Sequence, residues 1–252
     1  MKYYFLILSF IHMTKCDVEP RIIDGEEASI KQFPHSVFLR IANHPLLWGT
    51  SLCGASIIHQ RMLLTAAHCL MHSNKESNIS VFVGDANKWK GLQSSIHSFF
   101  VHTKFKRQTV LNDIALVRLK TDLKFNERVK RVALMKNPPY NEKAQVAGWG
   151  LLANNVSTDQ LYFIDQYVWE RELCNKREPL LTDGKFCASS RNSSAVERGD
   201  SGSALIVRGY IQIGLVSYKI PSVSKSLVVY TDTGYYYDWI RKTSRKLYCY
   251  VP

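Results

Sequence analysis

The chain has 252 residues, 46% of them hydrophobic, enough to bury a large core and consistent with a single domain. Its 33 Lys and Arg against 21 Asp and Glu give a formal charge of +12, which suits a polyanion or an acidic membrane surface as well as a plain solvated face. No zinc-finger or homeodomain-like spacing accompanies the charge, so nucleic-acid binding is set aside, and no repeat, heptad run or low-complexity linker divides the chain.

Met1-Lys2 precedes an apolar run from Tyr3 to Ile11, and polar residues begin near His12. Residues 1–15 therefore read as a secretory leader, too short for an ordinary membrane span; a buried N-terminal strand is the alternative. Residues 16–21 then form a short segment ahead of the folded domain, residues 22–252. Apolar and alternating tracts recur at 36–41, 55–64, 80–83, 96–101, 114–119, 144–149, 160–168, 204–207, 212–218 and 227–230. Many short tracts separated by polar turns predict an all-β barrel or sandwich. The stretch 233–247 instead predicts a terminal helix, with Tyr236, Trp239, Ile240 and Thr243 near one face.

Three motifs within this pattern carry chemistry. Thr65-Ala66-Ala67-His68-Cys69 places His68 just past an apolar strand, and Asn112-Asp113-Ile114 places Asp113 at the entrance of another. Glu197-Arg198-Gly199-Asp200-Ser201-Gly202-Ser203 flanks a serine with glycines, the form in which a backbone exposes a nucleophile beside converging amides. A hydroxyl is a poor nucleophile near neutral pH, so it needs a base, and the base needs a fixed tautomer. Taken singly, His68 reads as a packed histidine, Asp113 as a strand-entry cap and Ser201 as a turn residue. A metal site built on His68 and its neighbouring cysteines is disfavoured, because one His-Cys step and a distant Cys53 give no compact four-ligand spacing.

At these residues the chain resembles the trypsin-like (chymotrypsin-fold) serine proteases, whose order is histidine, aspartate, serine. The resemblance runs from Ile22 to about Lys246 and includes Ser51-Leu52-Cys53-Gly54, Ala147-Gly148-Trp149-Gly150, Leu215-Val216-Ser217-Tyr218 and Tyr230-Thr231. It implies two packed six-stranded antiparallel β-barrels with a C-terminal α-helix. It also implies a catalytic set of His68, Asp113 and Ser201, with the amides of Gly199 and Ser201 as the oxyanion hole. By the same resemblance residues 16–21 are a short activation peptide, and cleavage after Arg21 would free the Ile22 amino group to pair with Asp200. Disulfides Cys53–Cys69 and Cys174–Cys187 follow from the same resemblance; Cys16 and Cys249 are left to pair with each other or with another chain. Six cysteines and the leader suit a secreted, extracellular protein needing no cofactor or metal. Its partners would be a protein or peptide substrate, an activating protease, and a polyanion or serpin-type inhibitor.

The substrate pocket departs from the family. Ala195 stands at the base where trypsin has an aspartate, and Val196 adds an apolar wall beside Arg198, Ser217 and Tyr218. Lys219 and Val228 fall where open pockets have glycines. Glu197 replaces a bracing cysteine and is free to pair with Lys219 or Arg198 or to face solvent. Ala144 and Val207 mark a second missing disulfide. Small or medium aliphatic residues before the scissile bond are the expectation. The basic residues in Gly84-Asp85-Ala86-Asn87-Lys88-Trp89-Lys90 predict a calcium-free loop. Asn78, Asn155 and Asn192 match glycosylation acceptors and read equally as polar turns. A noncatalytic extracellular binding module on the same fold is the competing functional reading.

Overall fold

The computed structural model describes residues 25–44, 49–71, 73, 78–152, 156–179, 181–191 and 194–249. The expectations for residues 1–15 and 16–21, for Arg21 and Ile22, for a Cys16–Cys249 bond, and for Asn155 and Asn192 lie outside the described residues. Within these bounds the chain is all-β with three helices. After β1 (Glu26–Glu27) come β2 (Ser36–His44), β3 (Gly49–His59), β4 (Met62–Thr65), the one-turn α1 (Ala67–Leu70), β5 (Ile79–Val83), β6 (Leu92–Val101) and β7 (Ala115–Leu119). The second half holds β8 (Ala133–Leu134), β9 (Ala144–Gly148), β10 (Tyr162–Val168), α2 (Arg171–Arg177), β11 (Lys185–Ser189), β12 (Ala204–Val207), β13 (Ile211–Lys219), β14 (Val228–Asp232) and α3 (Tyr237–Cys249).

Strands β2 to β7 close a barrel in the order β2-β3-β4-β7-β6-β5. Its inward faces follow the period of two: in β5, Ile79, Val81 and Val83 are buried while Ser80 and Phe82 are less so. A second six-stranded ring runs β9-β10-β11-β14-β13-β12, closed by pairing of β9 with both β10 and β12. To it are added β1 along β10 and β8, which runs parallel to β13. Each barrel has its own apolar centre, the first around Leu39, Ile57, Val81 and Val117, the second around Val146, Leu205, Ile213 and Val228.

A third cluster, with Phe33, Phe38, Trp149, Ala204 and Ile206, joins the two barrels. Polar bonds cross the same seam: Ser56 Oγ donates to Gln212 Oε1 at 2.7 Å, and Thr231 Oγ1 donates to the Asp113 carbonyl at 2.9 Å. Lys88 supplies another tie, its side chain buried and its ammonium donating to the Thr158 carbonyl at 2.5 Å, with Asp159 at 3.3 Å. The loop predicted to lack calcium thus carries an internal cation that reaches the second barrel.

The apolar tract at 55–64 resolves into β3 and β4 around a turn at Gln60-Arg61. The terminal helix begins at Tyr237 rather than at Thr233, because Asp232 Oδ1 accepts the amides of Gly234 and Tyr235 and holds that stretch as a turn. Its predicted face is correct in placement: Tyr236, Ile240 and Thr243 are buried, and Trp239 packs against the same cluster.

Candidate active site

Strand β4 ends at Thr65, and extended Ala66 turns the chain into the short helix that carries His68. Cys69, next in the chain, is bonded to Cys53 of β3, with Cα atoms 6.3 Å apart, so the imidazole is anchored from behind. Asp113 follows Asn112, whose φ of 56° turns the backbone just before β7. Its carboxylate is fully buried. Oδ1 accepts the His68 amide at 2.9 Å; Oδ2 lies 2.8 Å from His68 Nδ1 and accepts Ser217 Oγ at 2.6 Å. A carboxylate can only accept, so Nδ1 carries the proton and Nε2 is left as the basic nitrogen.

Charge settles the protonation of this pair. Burial lowers the His68 pKa, but the Asp113 charge and hydrogen bond outweigh it, and the result lies above the ordinary histidine value despite opposition from Lys185. Burial raises the Asp113 carboxyl, yet the His68 charge and the bonds from His68 and Ser217 bring it below its usual range.

Ser201 comes from the second barrel. Gly199 has φ of 105° and Gly202 has φ of 81°, conformations that side chains disfavour. A Cβ on Gly202 would stand 2.3 Å from Thr65 Oγ1 and 2.5 Å from the Gly54 carbonyl, so only glycine allows the Ser201 turn to lie against the first barrel. The Gly54 amide donates to the Ser201 carbonyl at 2.8 Å and the Gly202 amide to Val216 at 2.9 Å. Behind the turn, the buried Asp200 carboxylate accepts the amides of Gly150 and Glu197, each at 2.8 Å. Burial raises its pKa to about 6.

His68, Ser201 and Gly199 line one cleft of about 680 Å³ with Leu52, Val110, Leu151, Arg198, Ser217 and Tyr218 among its other walls. Of the pocket residues read from sequence, Arg198, Ser217 and Tyr218 reach this cleft. Ala195, Val196 and Val228 do not; they are 0%, 3% and 0% exposed, the two valines in the core of the second barrel with Tyr230. Lys219 pairs with Glu197 at 2.5 Å, which resolves the open choice for that carboxylate. Both expected disulfides within the described residues are present, Cys53–Cys69 and Cys174–Cys187. Cys53, His68 and Cys69 place their ligand atoms within 4.8 Å of one another, but the two sulfurs are bonded together and supply no thiolate for a metal. Asn78 sits half-buried directly before β5.

Sequence reading missed Lys185, which reaches Ser217 from β11 at 3.2 Å. The signal was its place two residues before Cys187, since alternation turns both side chains to the same face. It also missed Phe105 and Val110 on the cleft wall, which come from an irregular loop with no periodicity to read.

The family model described as Trypsin matches residues 22–240. Trypsin epsilon of Drosophila erecta is 31% identical over 246 residues, covering 91% of this chain and 90% of its own. Hypodermin-B of Hypoderma lineatum is 31% identical over 238 residues, 90% of this chain and 89% of its own. Among solved structures, the scabies mite inactivated protease paralogue S-D1 superposes with a TM-score of 0.78 at 24% identity, covering 89% of this chain and 97% of that one. HL collagenase gives a TM-score of 0.79 at 24% identity, covering 89% and 99%. At that identity the two structures speak for the fold alone. No helix among the described residues is long and apolar enough to cross a membrane.

Proposed function

The chain belongs to the trypsin-like serine-protease family, and on that premise we propose that it is a secreted serine endopeptidase made as a zymogen and activated by cleavage after Arg21. The observation that carries this reading is the Asp113 carboxylate fixing His68 Nδ1 at 2.8 Å on the cleft that Ser201 and Gly199 also line. In the proposed cycle, His68 Nε2 takes the Ser201 proton as Oγ attacks the peptide carbonyl, and Asp113 stabilises the imidazolium. The amides of Gly199 and Ser201 receive the oxyanion, and loss of one such donor costs about 3 kcal/mol in activation free energy. Protonated His68 then protonates the leaving amine; water, deprotonated by the same imidazole, hydrolyses the acyl-enzyme.

The pocket supports a restricted substrate class. Ala195 offers no carboxylate to a Lys or Arg, and with Ala195, Val196 and Val228 buried away from the cleft the deep part of the expected pocket is closed, which favours small or medium apolar side chains. Protein cleaved after Arg21 is expected to be labelled at Ser201 by a serine-hydrolase phosphonate, and a peptide library to show aliphatic preference before the scissile bond. Absence of labelling in folded, cleaved protein would sink the catalytic reading; preference for Lys or Arg would sink the pocket reading.

The sealed Ala195–Val196–Val228 region and the +12 charge favour one competitor, a noncatalytic extracellular binding module. It requires that Ser201→Ala leave ligand binding unchanged and that no peptide be turned over. Turnover abolished by that substitution rejects it.

A further inference from the structure

Lys185 opens β11 with its side chain turned inward, and the residue is only 2% exposed. Its Nζ donates to Ser217 Oγ at 3.2 Å and lies 4.4 Å from the centre of the Tyr218 ring. Ser217 Oγ in turn donates to Asp113 Oδ2 at 2.6 Å, the oxygen that holds His68 Nδ1 at 2.8 Å. An ammonium has donors and no acceptor. Its presence on one side of Ser217 therefore commits the single hydroxyl proton to Asp113 on the other. The π face of Tyr218 adds to the stabilisation of the cation.

Fold stability does not account for this residue. An apolar side chain of the same length would fill the site without the desolvation that an ammonium suffers there. What a lysine adds is a positive charge behind the carboxylate that orients His68.

We propose that Lys185 is a positioning residue of the catalytic pair: it fixes the Ser217 hydroxyl on Asp113 and opposes the charging of His68, so the imidazole stays neutral to lower pH than Asp113 alone would allow. The consequence for turnover rests on the endopeptidase reading; the effect on His68 does not. Burial lowers Lys185 to about 8, with Asp113 and then Glu178 acting against the fall, so the ammonium is charged at neutral pH. The groups that act on the charge of His68 are Asp113 and Lys185, and Arg107, Arg198 and Tyr218 line the same cleft. Around Lys185 stand Asp113 ahead of β7, Glu178 after α2, Tyr218 on β13, and Tyr140 and Asp232, which line the same small cavity. Arg171 of α2 donates to the Lys185 carbonyl at 3.1 Å and pairs outward with Asp183.

The test follows the His68 ring by NMR titration in the full chain, for the wild type, Lys185→Met and Lys185→Gln. Both variants remove the charge, and glutamine keeps a donor for Ser217. The His68 midpoint is expected to rise by about half a unit or more in each, a roughly threefold gain in proton affinity. The wild type is expected to show a second, smaller inflection as Lys185 loses its proton. In the cleaved enzyme the acid limb of kcat/KM should move upward by the same amount, with KM held within about twofold. Thermal unfolding at neutral pH should leave Lys185→Met at least as stable as the wild type. Midpoints unchanged to within about 0.2 in both folded variants, with a single-step titration in the wild type, would overturn the proposal. A chain that turns over no peptide yet shows the His68 shifts loses the endopeptidase reading and keeps this one.

Discussion

Asp200 is a carboxylate that is 2% exposed, held by two backbone amides and raised to about 6 by burial. Its folded pKa lies above the unfolded value, so the folded state binds the extra proton between about 4 and 6. The cost of its ionisation is fully present above pH 6 and is relieved as pH falls, amounting to about 3 kcal/mol. A cation delivered to the carboxylate removes that cost. Cleavage after Arg21, if it seats the Ile22 amino group there, is therefore expected to raise the melting temperature more at pH 7.5 than at pH 4.5. Equal gains at both pH values, followed by differential scanning fluorimetry on cleaved and uncleaved protein, would sink the pairing. Ser201, Gly202, His68 and Asp113 were legible in the sequence because each sits in a short motif whose turn chemistry is local. Lys185 was not, since its reach to Ser217 depends on how β11 and β13 flank β14.

At the scale of elements, the mouth of the expected pocket is tied by one ion pair between the end of β13 and the segment before the Ser201 turn. Lys219 and Glu197 meet with side chains 23% and 20% exposed, Glu197 being the residue read from sequence as replacing a bracing cysteine. A partly solvated pair is worth about 1 kcal/mol or less and yields to salt, whereas a covalent brace does not. Lys219→Gly is expected to raise kcat/KM for peptides with larger aliphatic residues before the scissile bond by roughly tenfold. Glu197→Ala should move in the same direction, and wild-type activity on those peptides should rise with salt. A fall in activity for every peptide with Lys219→Gly would show instead that the bridge holds the site together. Element by element, the long alternating tracts were readable because period-two burial is written in them. The two-residue β1 and β8 were not, since so short a pairing leaves no pattern, and β11 was hidden by a lysine at its first inward position.

For the whole molecule, the seam between barrels is where the proposed catalytic set and the acid-sensitive groups meet, since His68 and Asp113 come from one barrel and Ser201 from the other. His35 lies at this seam, 3% exposed, its carbonyl accepting the Ile57 amide at 3.0 Å and its ring edge-on to Phe33, which packs against Phe163 of the second barrel. Burial lowers its pKa to about 4. The folded state therefore refuses a proton that the unfolded chain accepts below about 6.5, so stability present above that pH is lost as pH falls towards 4, by about 3 kcal/mol. In the uncleaved chain Asp200 runs the other way over nearly the same window, and the two contributions offset each other. A cleaved chain with Asp200 paired has no such compensation. Urea unfolding at pH 7 and pH 4.5 is expected to show a flat profile for the uncleaved protein and a loss of about 3 kcal/mol for the cleaved one. His35→Leu should remove most of that loss in the cleaved form, because no imidazole remains to be charged on unfolding. A cleaved His35→Leu protein that loses as much stability in acid as the cleaved wild type would place the sensitivity elsewhere along the seam.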